Sequence, residues 1–505
     1  MRCCGPCRGG IPEITFSRSC LKQFAIDNLL LLLTLVGVIV GFIIGFALQD
    51  VNLSRDALMW IGLPGELFLR GLKLSILPLV VSCVTTAVAT LDLRVNGKMG
   101  LMTFGYIWTV LFISCMTGLA LVSIIQPGSV YSSDIPFQSK RYETQDVFAD
   151  LFRNIIPENI VMACLHSTRT EYDLEKTYIE VNGTNITKNI VIDKYTAYGG
   201  STNLLGVVIF CIMLGMAMSV ERESSRTMLG FLQDLRVLTF RILTTYMWTL
   251  PVGTASLIAV ALLRVENIMQ VWKTLGLFSA AVIIGESLHM FVTLPLIHFI
   301  VARRVLYKVY WGYTDAILIA MITKSSAATL PTLIKGMEQN NKVHKSVNSF
   351  VLPLCATFNR DGSCMFIMSG CLWLAQCSML NLNAGQIVVV AALAMIIAFS
   401  LPSVPSGSIV AIVQICTTTN IPIEAIGLLI TMEWLLDAIR TGVNCVSHGV
   451  ASATVHHRMV NELEDEDEES RDEEEGLGEK DKIQDGAIEL VVENEKDGES
   501  KDSKV

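Results

Sequence analysis

The chain has 505 residues, 52% of them hydrophobic, with a mean hydropathy of +0.52. That excludes an ordinary soluble domain, and apolar runs longer than 18 residues indicate an all-α polytopic membrane protein. The net charge of −9 is unevenly spread: residues 461–505 hold 20 acidic and 6 basic side chains and the rest 27 and 32, so a −14 tail follows a +5 body.

Residues 1–23 read as a cytoplasmic N-terminus, with Cys3, Cys4 and Cys7 beside Arg2 and Arg8 as candidates for palmitoylation. The first predicted span is 24–48, where Gly37, Gly41 and Gly45, four apart, permit close helix contact. Spans at 59–91 and 100–126 follow. A polar insert, 127–202, contains sequons at Asn182 and Asn185 and is extracellular if glycosylated. Cys164 is its only cysteine, so no internal bridge is expected there. Further spans are predicted at 203–220, 237–263 and 275–301. Arg94 and Lys98, Arg222 and Arg226, and Arg303, Arg304 and Lys308 occupy alternate loops, which places those loops and the N-terminus in the cytoplasm.

After Lys308 the apolar runs are interrupted. Residues 309–333 are broken at Thr323-Lys324-Ser325-Ser326, and 384–418 at Ser400-Leu401-Pro402-Ser403-Val404-Pro405-Ser406-Gly407. Each half is too short to cross a bilayer at about 1.5 Å per residue. Paired broken segments mark transporter binding sites, although kinked through-going helices give the same pattern. Between them, 346–377 is interrupted by Asn359-Arg360-Asp361-Gly362. The last span, 421–456, contains EWLLDAIRTGVNCVSH. On a helix its Glu433, Asp437, Arg440, Thr441, Asn444 and His448 share an arc of roughly 100°. A charge at mid-membrane costs at least roughly 2.5–3.5 kcal/mol on insertion scales, so such a stripe faces a cavity or a partner. A guanidinium grips a carboxylate bidentately and a carboxylate accepts an ammonium, which suits an amino acid. A simple Asp437–Arg440 ion pair is the alternative.

Four stretches carry a family resemblance: LPGELFLRGLKLSILPLVVS (63–82), SSAATLPT (325–332), VLPLCATFNRDGS (351–363) and EWLLDAIRTGVN (433–444). With them the chain, from about 21 to 457, resembles the glutamate and neutral amino acid transporter family, the dicarboxylate/amino acid:cation symporters. The resemblance implies eight transmembrane helices plus two re-entrant hairpins, inverted repeats and an elevator-type mechanism. The assembly would be a homotrimer in plasma-membrane lipid with both termini cytoplasmic. Residues 24–263 would be mainly scaffold. Residues 264–457 would be mainly transport domain, with hairpins 309–333 and 384–418, interrupted helix 346–377 and last helix 421–456. Carried over by position, Asp437 takes the substrate ammonium and Arg440 its side-chain carboxylate. Thr441 and Asn444 hold the α-carboxylate and its surroundings. Ser325 and Ser326 offer the first hairpin tip, and Ser363 stands where the family has threonine. Family members for neutral amino acids lack an arginine at this place, so the expected substrate is glutamate or aspartate.

The cation machinery departs from the family. The pattern Asn-Met-Asp-Gly-Thr is here Asn359-Arg360-Asp361-Gly362-Ser363, a family aspartate one turn past Asn444 is His448, and the proton-carrying glutamate is Ile367. Ile107, Val110 and Leu111 replace a tyrosine and two hydroxyl residues at another sodium site, and none has an oxygen for a hard cation. A residual Na⁺ site would rest on Asn359, Asp361 and Asn444, with Arg360 and His448 opposing it. Transport is therefore expected to depend weakly on Na⁺, and proton coupling is in doubt. No other cofactor is expected. A substrate-gated anion channel, and a non-transporting sensor or scaffold, are the alternatives within this fold. No nucleotide loop, zinc motif or hydrolase signature appears, so neither an enzyme nor a nucleic-acid partner is expected. The acidic tail, 458–505, is expected to be a disordered cytoplasmic segment. Its last residues, Ser503-Lys504-Val505, fit a PDZ-binding end through Ser503 and Val505.

Overall fold

A computed structural model describes residues 29–49, 51, 53–90, 97–130, 144–181, 184–200, 202–263, 268–401 and 407–459. The palmitoylation candidates, Asn182, residues 402–406 of the expected second hairpin, and the acidic tail from 460 on, with its Ser503 and Val505, lie outside them.

The described chain is mostly helical. Helix α1 (Leu29–Leu48) packs on α8 (Leu250–Leu263), and α2 (Arg55–Ala89) packs on α6 (Leu204–Val220), α7 (Arg222–Tyr246) and α8. Helix α3 (Gly97–Ile125) runs against α15 (Asp361–Cys377). Among the described residues, four apolar helical stretches are long enough to cross a membrane: Arg55–Ala89, Gly97–Val130, Arg222–Leu263 and Met269–Ala302. Val36, Ile39 and Ile43 on α1, Leu74 on α2, and Phe231, Leu238 and Ile242 on α7 stand exposed. Such an apolar exterior suits lipid, because hydrocarbon exacts no cost for exposed apolar surface. The span expected at 237–263 starts earlier: helical geometry begins at Arg222, so the Arg222–Arg226 loop is itself the first turn of α7.

The glycine ladder of α1 does what its spacing predicts. A Cβ on Gly37 would fall 2.2 Å from the Pro251 carbonyl oxygen, and one on Gly41 2.7 Å from the Ala255 oxygen. The two backbones meet with no room between them. Gly41→Leu is therefore expected to destabilise the fold by more than the roughly 1–3 kcal/mol typical of overpacking, because backbone cannot yield as a side chain does. Thermal unfolding of the purified protein checks this; an unchanged Tm contradicts it.

The insert corrects the all-α expectation. After α4 (Thr144–Ile155) and α5 (Ile160–Leu165), strands β1 (Ser167–Val181) and β2 (Thr184–Gly199) form an antiparallel pair, with Ser167 opposite Gly199 and Val181 opposite Thr184. Asn185 pairs with Glu180 near the turn end of this ribbon. Asp150 anchors the ribbon to α4 by accepting from the Thr170 backbone and hydroxyl at 2.6 and 2.8 Å. Cys164 is a free thiol.

The second half contains the interruptions. Helix α9 (Ile268–Leu288) passes through a π turn, His289–Thr293, into α10 (Leu294–Ala302). After a short α11 (Tyr307–Trp311), α12 (Thr314–Thr323) and α13 (Ser326–Gln339) pack on each other across a break at Lys324. Helices α14 (Lys345–Phe358) and α15 are separated by Asn359 and Arg360, and α16 (Ala384–Ser400) and α17 (Gly407–Thr418) again pack on each other. A last helix, α18, covers 426–459. The breaks have local causes. Lys324 takes a left-handed conformation (φ 52°) that ends α12, and the Ser325 hydroxyl accepts from the Ala328 backbone to start α13. Pro353 lies inside α14, but the break itself falls at Asn359, whose extended backbone (φ −92°, ψ 102°) cannot continue a helix.

Candidate functional site

The polar stripe of α18 is buried: Glu433, Asp437, Arg440, Asn444 and His448 are each 4% exposed or less. Arg440 is its centre. Its Nη1 donates to Glu433 Oε2 at 3.0 Å and its Nη2 to Glu433 Oε1 at 2.5 Å, while Nη2 also donates to Asp437 Oδ1 at 2.7 Å. The guanidinium carbon lies 4.5 Å from the centre of the Phe366 ring, a cation–π contact from α15. One planar cation is thus gripped by two carboxylates on its own helix, seven and three residues back. The Asp437–Arg440 ion pair exists, and it is part of a larger cluster. Lys324, at the break between α12 and α13, lies within electrostatic reach of Asp437, Glu433 and Arg440.

Asn444 joins the stripe to the interrupted helix. Its Oδ1 accepts from the Gly362 backbone at 2.9 Å, and its Nδ2 donates to Ser363 Oγ at 3.4 Å. Thr441 donates to the Asp437 carbonyl of its own helix at 2.7 Å. Of the two serines that begin α13, Ser325 is a helix cap, whereas the Ser326 hydroxyl is buried with no hydrogen-bond partner. The Ser326 hydroxyl is therefore free to take a partner, whereas the Ser325 hydroxyl is engaged as a cap.

The break between α14 and α15 exposes the carbonyls of one helix end, and fixed side-chain donors satisfy them. Arg360 Nε donates to the Leu401 carbonyl at 2.7 Å and its Nη2 to the Ala356 carbonyl at 3.1 Å. Both carbonyls belong to helix C-termini, the negative ends of α16 and α14. One guanidinium therefore ties the end of α16 to the interrupted helix. His448 Nε2 meets the Asn359 carbonyl at 2.7 Å. Asn359 Nδ2 donates to Ser447 Oγ at 2.8 Å, and its Oδ1 has no hydrogen-bond partner. Asp361 Oδ2 meets His289 Nε2 at 2.9 Å, and the Asp361 carbonyl accepts from Ser114 Oγ at 2.5 Å. Asn359, Asp361 and Asn444 are gathered at one break, but Asp361 and Asn444 already serve other partners. Ile107, Val110 and Leu111 are fully buried in the apolar core of α3.

Three buried or half-buried charged side chains around the stripe were given no role in the sequence reading. Glu433 was seen in the stripe without a role, Lys324 was taken only as a break, and Glu286 was passed over inside an apolar span. An isolated acid in such a span is itself a signal.

The family model described as Sodium:dicarboxylate symporter family matches residues 30–458. The chain is 34% identical over 464 residues to excitatory amino acid transporter 3 of Bos taurus, covering 88% of each chain. It is 32% identical over 464 residues to the Homo sapiens protein of the same name, again covering 88% of each. It is also 32% identical over 455 residues to a putative sodium-dependent excitatory amino acid transporter, glt-6, of Caenorhabditis elegans, covering 89% of this chain and 83% of that one.

Proposed function

The chain belongs to the sodium:dicarboxylate symporter family, and from that premise we propose that it carries an acidic amino acid, glutamate or aspartate, across the plasma membrane. Membership of a transporter family with excitatory amino acid transporters as relatives supports the coarse reading, a multipass membrane transporter of amino acids or dicarboxylates. The finer reading rests on one observation: the buried Arg440 fork holds the Glu433 carboxylate bidentately. Glu433 stands in for the carboxylate of a substrate side chain. Loading then exchanges one carboxylate for another on the same guanidinium, and Lys324 offers a second cation to the displaced Glu433. Asp437 takes the substrate ammonium, and Asn444, Thr441, Ser363 and the Ser326 hydroxyl surround the α-carboxylate.

The proposed architecture is a homotrimer in which residues 264–457 move against 24–263, with eight spans and two hairpins. The helix pairs α12–α13 and α16–α17 support it, because each falls where a hairpin was expected. Coupling is proposed to use fewer cations than the family's several, since Arg360 and His448 satisfy carbonyls that a bound ion would otherwise meet. The Arg360 tether also favours the second reading, a substrate-gated anion channel, because it restrains the second hairpin. Uptake of labelled aspartate, glutamate and alanine into proteoliposomes, with and without Na⁺, separates the two. Accumulation of acidic substrate supports the carrier; current without accumulation supports the channel.

A further inference from the structure

Six cations stand exposed at the end of the molecule where α18 finishes: Arg303, Arg304, Lys308, Lys342, Lys345 and Arg458. Contacts among three segments bring them together. Arg304 lies within electrostatic reach of His298, His456 and His457. The His344 backbone donates to His456 Nδ1 at 3.4 Å, and Asn341 Nδ2 donates to the Val309 carbonyl at 3.0 Å. None of the six makes an ion pair with a carboxylate among the described residues. Between 298 and 345 only Asp315 and Glu338 are acidic, whereas seven side chains are Lys or Arg. Like charges gathered on one surface repel one another, and an anion laid across them relieves the repulsion.

The chain carries a matching anion next to this surface. Residues 462–475 follow Met459, the last described residue of α18, and hold 11 acidic side chains against one basic, Arg471. Helices α10 and α18 meet here, with His298 Nδ1 2.8 Å from Thr454 Oγ1. The start of the acidic segment and the cations therefore lie on the same side of any membrane the helices cross. At roughly 3.3–3.6 Å per extended residue, Glu462 lies within about 10 Å of Met459 and Glu475 within about 55 Å. The segment need not stretch to meet residues packed beside His456. We propose that the acidic segment 462–475 docks on this basic surface of its own chain. Tethering favours it over free anions, because a short flexible connection gives an effective concentration in the mM range. A single exposed ion pair contributes little, so the docking is a sum over many pairs and is screened by salt. The docked segment connects the ends of α10 and α18 with the turn between α13 and α14. This holds whatever the protein carries.

The test is zero-length carbodiimide crosslinking of the purified full chain, read by peptide mass spectrometry. Amide bonds are expected between Lys308, Lys342 or Lys345 and carboxylates of 462–475. Their yield is expected to fall roughly fivefold or more between about 0.1 M and about 1 M sodium chloride, as the screening length shrinks from about 10 Å to about 3 Å. The double variant Arg304→Glu, Arg458→Glu keeps all three lysines and is expected to lose the crosslinks to a similar degree at low salt. If that variant fails to fold, Arg458→Gln at an exposed position is expected to lower the yield by about half. Lys273, near the start of α9 and about 45 Å from Arg303 along α9 and α10, is the internal reference. Absence of tail crosslinks, an equal yield at Lys273, or a yield unchanged by salt and by the charge variants overturns the proposal. Crosslinks that join light to heavy isotope-labelled chains give the surface to a neighbouring copy and overturn it too. In nanodiscs the crosslinks are expected with phosphatidylserine as with phosphatidylcholine. Their loss with phosphatidylserine alone gives the surface to lipid headgroups and overturns the docking of the segment.

Discussion

Arg440→Cys is expected to abolish uptake of aspartate and glutamate. The guanidinium is hydrogen-bonded to both Glu433 and Asp437, and it is nearly fully buried. Breaking a buried ion pair by removing one partner typically costs roughly 3–5 kcal/mol. At about 1.4 kcal/mol per tenfold, the loss amounts to two to three orders of magnitude in acidic-substrate affinity. Part of that cost falls on the fold, because two carboxylates are left facing each other. Glu433→Gln tests the same cluster in the opposite direction. It keeps the packing, removes the resident carboxylate from the fork, and is expected to tighten acidic-substrate binding. Uptake and competition assays on both variants read this out. A wild type that prefers alanine or serine to aspartate contradicts the proposed role of Arg440, as does an Arg440→Cys protein with undiminished aspartate uptake.

Replacing external Na⁺ with choline is expected to lower acidic amino acid uptake by the wild type only a few-fold, with a hyperbolic dependence on Na⁺. The reason is that Arg360 supplies a tethered cation to the carbonyls of Ala356 and Leu401. A guanidinium has no dissociation equilibrium with bulk salt, so the end of α16 is held whether or not sodium is present. Arg360→Met removes it and leaves both carbonyls without this donor. A hydrogen bond to a charged group contributes about 1.5–3 kcal/mol, so uptake in choline is expected to fall by roughly tenfold or more in the variant. Uptake in high sodium recovers if the ion can take the place of the guanidinium. Wild-type uptake that drops to background in choline, with a sigmoidal sodium dependence, shows instead that ordinary multi-ion symport survives beside Arg360.

Periodicity and hydropathy alone determined the membrane class, the approximate spans and the three interruptions. These depend on local composition: a polar break in an apolar run is visible wherever the run ends up. The α18 stripe was legible for the same reason, since 100° per residue places Glu433 through His448 on one face before any neighbour is known. The glycine ladder of α1 was legible as a close contact, although its partner, α8, lies about 200 residues away and only packing reveals it. The β ribbon was missed because Asn182-Gly183, a hairpin turn signal between two β-branched runs, was read only for its glycosylation sequon.

The tertiary structure decided the partners. Residues 433 and 440 are seven apart, so the sequence places them on one face, but it could not say that Arg440 folds back onto Glu433. Arg360 was recognisable as a displaced methionine, yet its hold on Leu401 crosses 41 residues. Glu286 comes to lie beside Gly362 only because α9 packs against α15. Side-chain direction and hydrogen-bond satisfaction depend on surfaces brought together from distant parts of the chain, and no local pattern encodes them. Composition therefore marked where charge enters the membrane, and packing alone determined which charges are matched there.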